Sequence, residues 1–281
     1  MKTTGIYTHT KYEIKFKNYG DRITLIPFGD VHRSSQLCHV EKWHEFLKWA
    51  KEQKNAYFLG MGDYNDLAST SERSILSNEH LHESTKYDLE SLYRKQTLLF
   101  ANEIDFMKGR LIGLVEGNHF AYLSSGITTT QLMAESLGCK YLGVSSFIRL
   151  ILKKDTHDTH QIDIWAHHGL GGGRTQGSDI NKIEQMIRCA DAQIYLMGHS
   201  HKKHVAMQSR LRLRAVKDGV DLDNQKIILA RTGAFLKGYE NEKASYIADG
   251  AYSPTDIGTV SITITPKRNK ERRWLELNAS L

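Results

Sequence analysis

The sequence predicts an α/β protein in which two β-sheets pack face to face and helices cover the outside. Two patterns carry that expectation. As far as about residue 200, short apolar runs of strand length alternate with segments whose apolar residues recur at helical spacing. Beyond Gly198 the chain changes to the longer alternation of antiparallel strands.

Taken in order, residues 22–28 form the first strand. Val40, Trp43, Phe46, Leu47 and Trp49-Ala50 then mark a crossover helix, with Ser34 or Ser35 as its N-cap. Residues 56–61 are the next strand, and a long helix is expected over 84–108, burying Leu89, Leu92, Leu98, Leu99, Ile104 and Met107 and stopping at Gly109. A strand over 110–115 leads to a short helix over 128–137 ended by Gly138. Strands over 162–166 and 193–197 flank a helix over 178–190 capped by Ser178. The antiparallel set covers 205–216, 225–230 and 258–265, with a turn at Lys217-Asp218-Gly219.

A polar cluster follows each of five strand runs: Asp30-Val31-His32, Gly62-Asp63, Gly117-Asn118-His119, His167-His168-Gly169 and Gly198-His199-Ser200-His201. In open α/β sheets ligands bind in the crevice outside the carboxyl ends of the strands, so this placement suits a site. On extended backbone Asp30 and His32 would share a face with Val31 turned back, as would His199 and His201 around Ser200, letting each pair grip a cation. The donors are imidazole, carboxylate and carboxamide without thiolate, a set suited to manganese, iron or zinc. Seven donors exceed what one ion with open water positions takes. Two ions sharing Asp63, about 3.5–4 Å apart, are therefore expected. Any one cluster alone would be weak evidence, and the remaining histidines of the 14, including His157 and His160 around a polar hairpin link, are read as surface or structural.

These donors run from residue 30 to residue 201 and must meet, so residues 1–281 are read as one domain, with a motif core over about 22–235 and C-terminal strands and a basic tail over about 258–281. With 40% hydrophobic and 25% charged residues, the chain can bury a substantial core. Three widely spaced cysteines without a Cys-x-x-Cys argue against a disulfide framework and for a reducing compartment. No apolar leader opens the chain and no run of 18 apolar residues occurs, so a cytoplasmic protein without membrane insertion is expected.

The ordered clusters resemble the calcineurin-like metallophosphoesterase superfamily, whose pattern is Asp-x-His, Gly-Asp, Gly-Asn-His, a lone His near Gly, and Gly-His-x-His. The resemblance spans roughly residues 22–235. It implies a four-layer α/β/β/α sandwich of two mostly mixed β-sheets flanked by helices, and two divalent ions, manganese first, with iron, zinc or nickel as alternatives. It makes Asp30, His32 and His201 ligands of one ion and Asn118, His199 and a histidine of the 167/168 pair ligands of the other, with Asp63 bridging. His167 is preferred as the ligand because it comes first after Trp165-Ala166, leaving His168 to face substrate. The cations would lower the pKa of a bridging water whose hydroxide attacks phosphorus, and His119, not a ligand, would protonate the leaving alkoxide.

Two departures from the superfamily's pattern matter. Phe120 stands where many relatives carry an acidic residue after Gly-Asn-His, which leaves that segment's bracing open. Leu67 stands where phosphoprotein phosphatases carry an arginine, which argues against a protein-phosphatase reading. Asp66, three residues after Asp63, holds the place of the carboxylate that orients the catalytic histidine in those phosphatases, so Asp66 and His119 are expected to pair, the alternative being that Asp66 only caps the following turn.

The run from Gly169 to Arg174 lacks both the P-loop and the dinucleotide pattern; either its glycines let backbone approach substrate, with Arg174 contacting a phosphate oxygen, or the run is only a linker. Arg210, Arg212 and Arg214 share one strand face and 267–273 is basic; with a net charge of +6 these could hold a nucleic-acid backbone, but a solvated strand face and tail is the preferred reading because net charge speaks to association and not to a specific partner. Three functions follow: a phosphoester hydrolase of small substrates, diesters ahead of monoesters; a DNA or RNA nuclease of the same superfamily; and a noncatalytic scaffold, whose mark would be eroded ligands.

Overall fold

The computed structural model describes residues 8–76, 81–171, 175–216, 219–243 and 245–281. In chain order the elements are β1 (Thr8–Lys15), β2 (Ile23–Phe28), α1 (Val40–Glu52), β3 (Ala56–Gly60), α2 (Thr70–Leu76), α3 (Glu83–Glu103) with a 3-10 turn at Asp105–Met107, β4 (Leu111–Leu114), α4 (Thr129–Leu137), β5 (Lys140–Tyr141), β6 (Ser145–Lys153), β7 (Thr159–His167), α5 (Gln176–Cys189), β8 (Ile194–Met197), β9 (Lys203–Val216), β10 (Gly219–Thr232), α6 (Tyr246–Asp249), β11 (Ser261–Arg268) and β12 (Arg273–Ser280).

They form two six-stranded mixed sheets, one in the order β1-β6-β7-β8-β10-β9 and the other in the order β12-β11-β2-β3-β4-β5. Parallel pairing joins β2, β3, β4 and β5 in the second sheet and β7, β8 and β10 in the first. Between the sheets lies an apolar layer drawn from both, including Leu25, Leu59, Ile112, Ile148, Ile164, Ile194, Ile228 and Ile262. A second core sits under α1, α3 and α4 and includes Trp43, Phe46, Phe100 and Met133. A third sits under α5 and includes Ile183, Met186 and Tyr195. The architecture is the expected α/β/β/α arrangement.

Local chemistry explains the element ends, and several differ from expectation. Thr128 and Gln131 form a capping box at α4, and Gly138 closes that helix at φ 63°. Neither Ser34 nor Ser35 caps α1, whose N-cap His39 makes no side-chain capping bond. Ser34 instead donates to the Asp66 carbonyl and accepts from its amide. Helix α5 is capped by Thr175 and not by Ser178. Helix α3 buries Tyr93, Thr97, Phe100 and Ala101, while Leu92, Leu98 and Leu99 are exposed. The reason lies in packing: Phe100 stacks on Trp43 with ring centres 5.5 Å apart, and that contact turns the leucines outward. The turn residues 217–218 lie outside the described residues.

Candidate metal centre

The five clusters sit in loops that leave β2, β3, β4, β7 and β8 at their carboxyl ends, on one shared rim. Asp30, His32, Asp63, His168 and His201 are all buried there. The backbone is not extended as expected. Asp30, His32, Asp63, His199 and His201 all have φ between 48° and 69°, and among the described residues only Glu242 and Ala251 are other non-glycine positions of that kind. Left-handed backbone costs a non-glycine residue on the order of 1–3 kcal/mol and persists where the surroundings impose it, so the paired donors are aimed by kinked loops rather than by strand alternation. Val31, between two of them, packs into the core under α1.

Two donor groups result. In one, atoms of Asp30, His32 and His201 lie within 4.8 Å of one another, with His201 Nε2 3.4 Å from Asp30 Oδ1. In the other, Asp63 meets His168 and His199, and Asn118 Oδ1 stands 2.9 Å from His168 Nε2 and 2.8 Å from His199 Nδ1. Asp63 Oδ2 joins them, 3.7 Å from His32 Nε2 and 3.2 Å from His168 Nε2. Its Oδ1 is held by the amides of Asn118 (2.7 Å) and His119 (2.9 Å). Asp30 Oδ2 is held in the same way by the His199 amide at 2.9 Å. Each carboxylate thus has one oxygen fixed by backbone and one turned to the site, the usual support for a metal ligand.

The donor set fits divalent cations. Asp30 Oδ1 and both ring nitrogens of His32 are buried without a hydrogen bond, and each such orphan costs about 1–3 kcal/mol unless something satisfies it. Glycines make the approach close enough. A Cβ on Gly117 would collide with Asp63 Oδ1, and one on Gly62, at φ 101°, would stand 2.5 Å from His168 Nδ1.

The chain is similar to the calcineurin-like metallophosphoesterases. Five clusters in the superfamily's order, brought to one rim in two groups with Asp63 between them, carry that similarity. No protein-family model and no curated protein matches the chain. Among solved structures, a single-substitution Vps29 from Entamoeba histolytica is 14% identical, covering 92% of this chain and 100% of its own, at a TM-score of 0.32. Vacuolar Protein Sorting 29 from Cryptosporidium parvum is 13% identical, with 94% and 99% covered and a TM-score of 0.31. A conserved uncharacterized protein from Streptococcus pneumoniae, described as a predicted phosphoesterase, is 11% identical, with 92% and 99% covered and a TM-score of 0.32. Likeness at that level carries no inference about activity.

At this rim the structure reverses the choice between adjacent histidines. His168, not His167, faces the site. Its Nδ1 donates to the Met61 carbonyl at 2.8 Å, which turns Nε2 into the site beside Asn118 Oδ1 and Asp63 Oδ2. Burial opposes its protonation, but Asp63 and Asp30 beside it outweigh burial and raise its pKa to about 9. His167 lies on the opposite face of β7, and its Nδ1 accepts the Gly169 amide at 2.8 Å. The signal was present in the sequence: Ile162, Ile164 and Ala166 alternate into the inter-sheet core, and His168 continues that face. Burial and the neighbouring His168 push His199 down to about 4. Burial would raise Asp63, yet His168, His32 and His119 hold it well below the ordinary carboxylate range.

His119 Nδ1 lies 2.5 Å from Asp66 Oδ1, which also stands 3.8 Å from His32 Nδ1. Burial alone would lower the His119 pKa, but the Asp66 hydrogen bond raises it. Arg174 and its neighbours Gly172 and Gly173 lie outside the described residues. The arginines of β9 are partnered: Arg210 and Arg212 with Asp191, and Arg214 with Asp221 at 3.2 Å.

One buried group escaped the sequence reading. Arg231 is fully buried and donates to the carbonyls of Gly198 (2.9 Å) and Asp179, fixing the turn that presents His199. Its only mark in the sequence is a lone charge at the end of Ile227-Ile228-Leu229-Ala230. Among the described residues no helix is long and apolar enough to cross a membrane.

Proposed function

We propose that this chain is a phosphoester hydrolase using two divalent cations, manganese first, and acting on phosphodiesters ahead of monoesters. The observation that supports the reading is the Asp63 carboxylate, one oxygen anchored on the Asn118 and His119 amides and the other turned between His32 and His168. Asp30, His32, His201 and Asp63 would hold one ion, and Asp63, Asn118, His168 and His199 the other. When bound, such a pair of ions lowers the pKa of a shared water and offsets charge on the phosphoryl oxygens.

The chain supplies the rest. Asp66 accepts from His119 Nδ1 and favours the protonated imidazole, so that Nε2 carries a proton to the departing alkoxide. Such a donor matters most for alkyl diesters, whose leaving groups are poor. Burial of the ligands limits access by bulk water and strengthens each electrostatic contact.

A nuclease is the second reading, prompted by the basic β9 face, but pairing of Arg210, Arg212 and Arg214 with Asp191 and Asp221 leaves that face less able to take phosphate. The scaffold reading loses support because Asp30, His32, Asp63, Asn118, His168, His199 and His201 each retain a side chain able to bind a cation. The test is a hydrolysis screen of mono- and diesters and of single-stranded and duplex nucleic acid, with Mn, Zn, Mg and Ni in turn. Metal-dependent diester cleavage abolished by Asp63→Asn is expected; no cleavage with any ion would overturn the proposal.

A further inference from the structure

The turn Asn118-His119-Phe120 is gripped at nearly every polar handle by one segment of chain, residues 63–73. Asp63 Oδ1 takes the amides of Asn118 and His119, Asp66 takes the His119 imidazole, and the Leu67 amide lies 3.5 Å from the His119 carbonyl. The carbonyls on either side go to Arg73. Its Nη1 stands 2.6 Å from Asn118 O, 3.0 Å from Phe120 O and 2.8 Å from Ala68 O, while Nη2 reaches Thr70 Oγ1 at 3.2 Å. The guanidinium lies over the Phe120 ring, 4.0 Å from its centre.

Helix α2 sets Arg73 in place. Ser69 and Glu72 form a reciprocal cap at its start: the Ser69 amide donates to Glu72 Oε2 at 2.7 Å and the Glu72 amide to Ser69 Oγ at 3.3 Å. Arg73 follows directly, and its own amide donates to the Ser69 carbonyl. A planar fork over an aromatic ring is a geometry that a lysine cannot reproduce.

The geometry points to Arg73 as a positioning residue for His119. It acts through the carbonyls of the two residues flanking that histidine and fills the bracing role left open by Phe120. Without the fork, the Asn118 and Phe120 carbonyls lose their shared donor and the turn gains freedom, so the imidazole drifts from the Asp66 carboxylate. The inference rests on the phosphoesterase reading for its kinetic consequence, but not for its structural one.

Arg73→Gln and Arg73→Lys, made in the full chain, test it with two independent readouts. The first is the hydrogen-bonded Nδ1 proton of His119 observed by NMR, expected far downfield in the parent and broadened or shifted upfield in both variants. The second is kinetics on an alkyl phosphodiester, with kcat expected to fall on the order of 10²-fold, KM and metal content holding within about twofold, and added guanidinium restoring part of the rate in Arg73→Gln. Should Arg73→Gln fail to fold, Arg73→Lys keeps the cation over Phe120 and carries both readouts. An unmoved Nδ1 resonance in a folded variant overturns the positioning role, whatever the activity. A shifted resonance in a chain that hydrolyses nothing supports the role while sinking the phosphoesterase reading.

Discussion

His119 Nδ1 and Asp66 Oδ1 stand 2.5 Å apart, a separation that commits the imidazole's other nitrogen to chemistry. Asp66→Asn and His119→Ala should each keep their metal and lose turnover, by about 10²–10⁴-fold for loss of the general acid. The loss should be greatest on alkyl esters and smallest on nitrophenyl esters, whose leaving groups need no proton. Equal losses on both substrate types would show that His119 does something other than protonate.

His168 and His167 offer a sharper contrast because they are neighbours at the end of β7 whose side chains point to opposite sides. His168→Ala should lower bound metal measured by elemental analysis, and His167→Ala should leave it unchanged. Asp63→Asn, which alters the one carboxylate reaching both donor groups, should weaken both sites together.

Gly117→Ala places a methyl against Asp63 Oδ1 and the Asp63 amide. Overpacking of this kind costs about 1–3 kcal/mol, read as a lower urea midpoint. Because the displaced atom is the anchored oxygen of the carboxylate proposed to bridge the two ions, metal affinity should fall with stability. A variant with normal stability and normal metal content would mean that the loop yields freely.

Far from the rim, Asp158 accepts from the Tyr19 hydroxyl at 2.6 Å and from Arg273 at 2.8 Å. The Tyr19 hydrogen bond, helped by Arg273 and opposed by burial, holds its pKa below the ordinary value. A carboxyl whose pKa falls on folding adds stability above the unfolded value of about 3.9, and that stability disappears as pH drops through the folded value. The parent should therefore lose stability more steeply than Asp158→Asn below about pH 4, and parallel urea midpoints across that range would refute the linkage.

The strands that lead into the site were legible because each is a short apolar run ended by polar residues, as in Ile194–Met197 before Gly198-His199. The edge strands β1 and β12 were not, although β9, at the other edge of the first sheet, was. Strand β1, Thr8–Lys15, alternates weakly through Tyr12 and Ile14, and β12 lay within what read as a basic tail. Helix caps escaped for a different reason: Ser34 found a tertiary partner in Asp66, which local propensity cannot foresee. The same holds for Arg73, whose partners lie some forty-five residues along the chain. His168 alone was recoverable, from the two-residue period of the strand before it.

Hydrogen bonds at the rim run from one sheet's loops to the other's, among them His199 amide to Asp30, Phe235 amide to the Asp30 carbonyl, and His168 to the Met61 carbonyl. A sandwich fastened along its mouth cannot scissor. Adaptation to a substrate is thereby left to loops beyond the rim, while the span between the two donor groups behaves as a fixed gauge. Esters would then be sorted by whether their phosphoryl oxygens match a distance that the scaffold has already set.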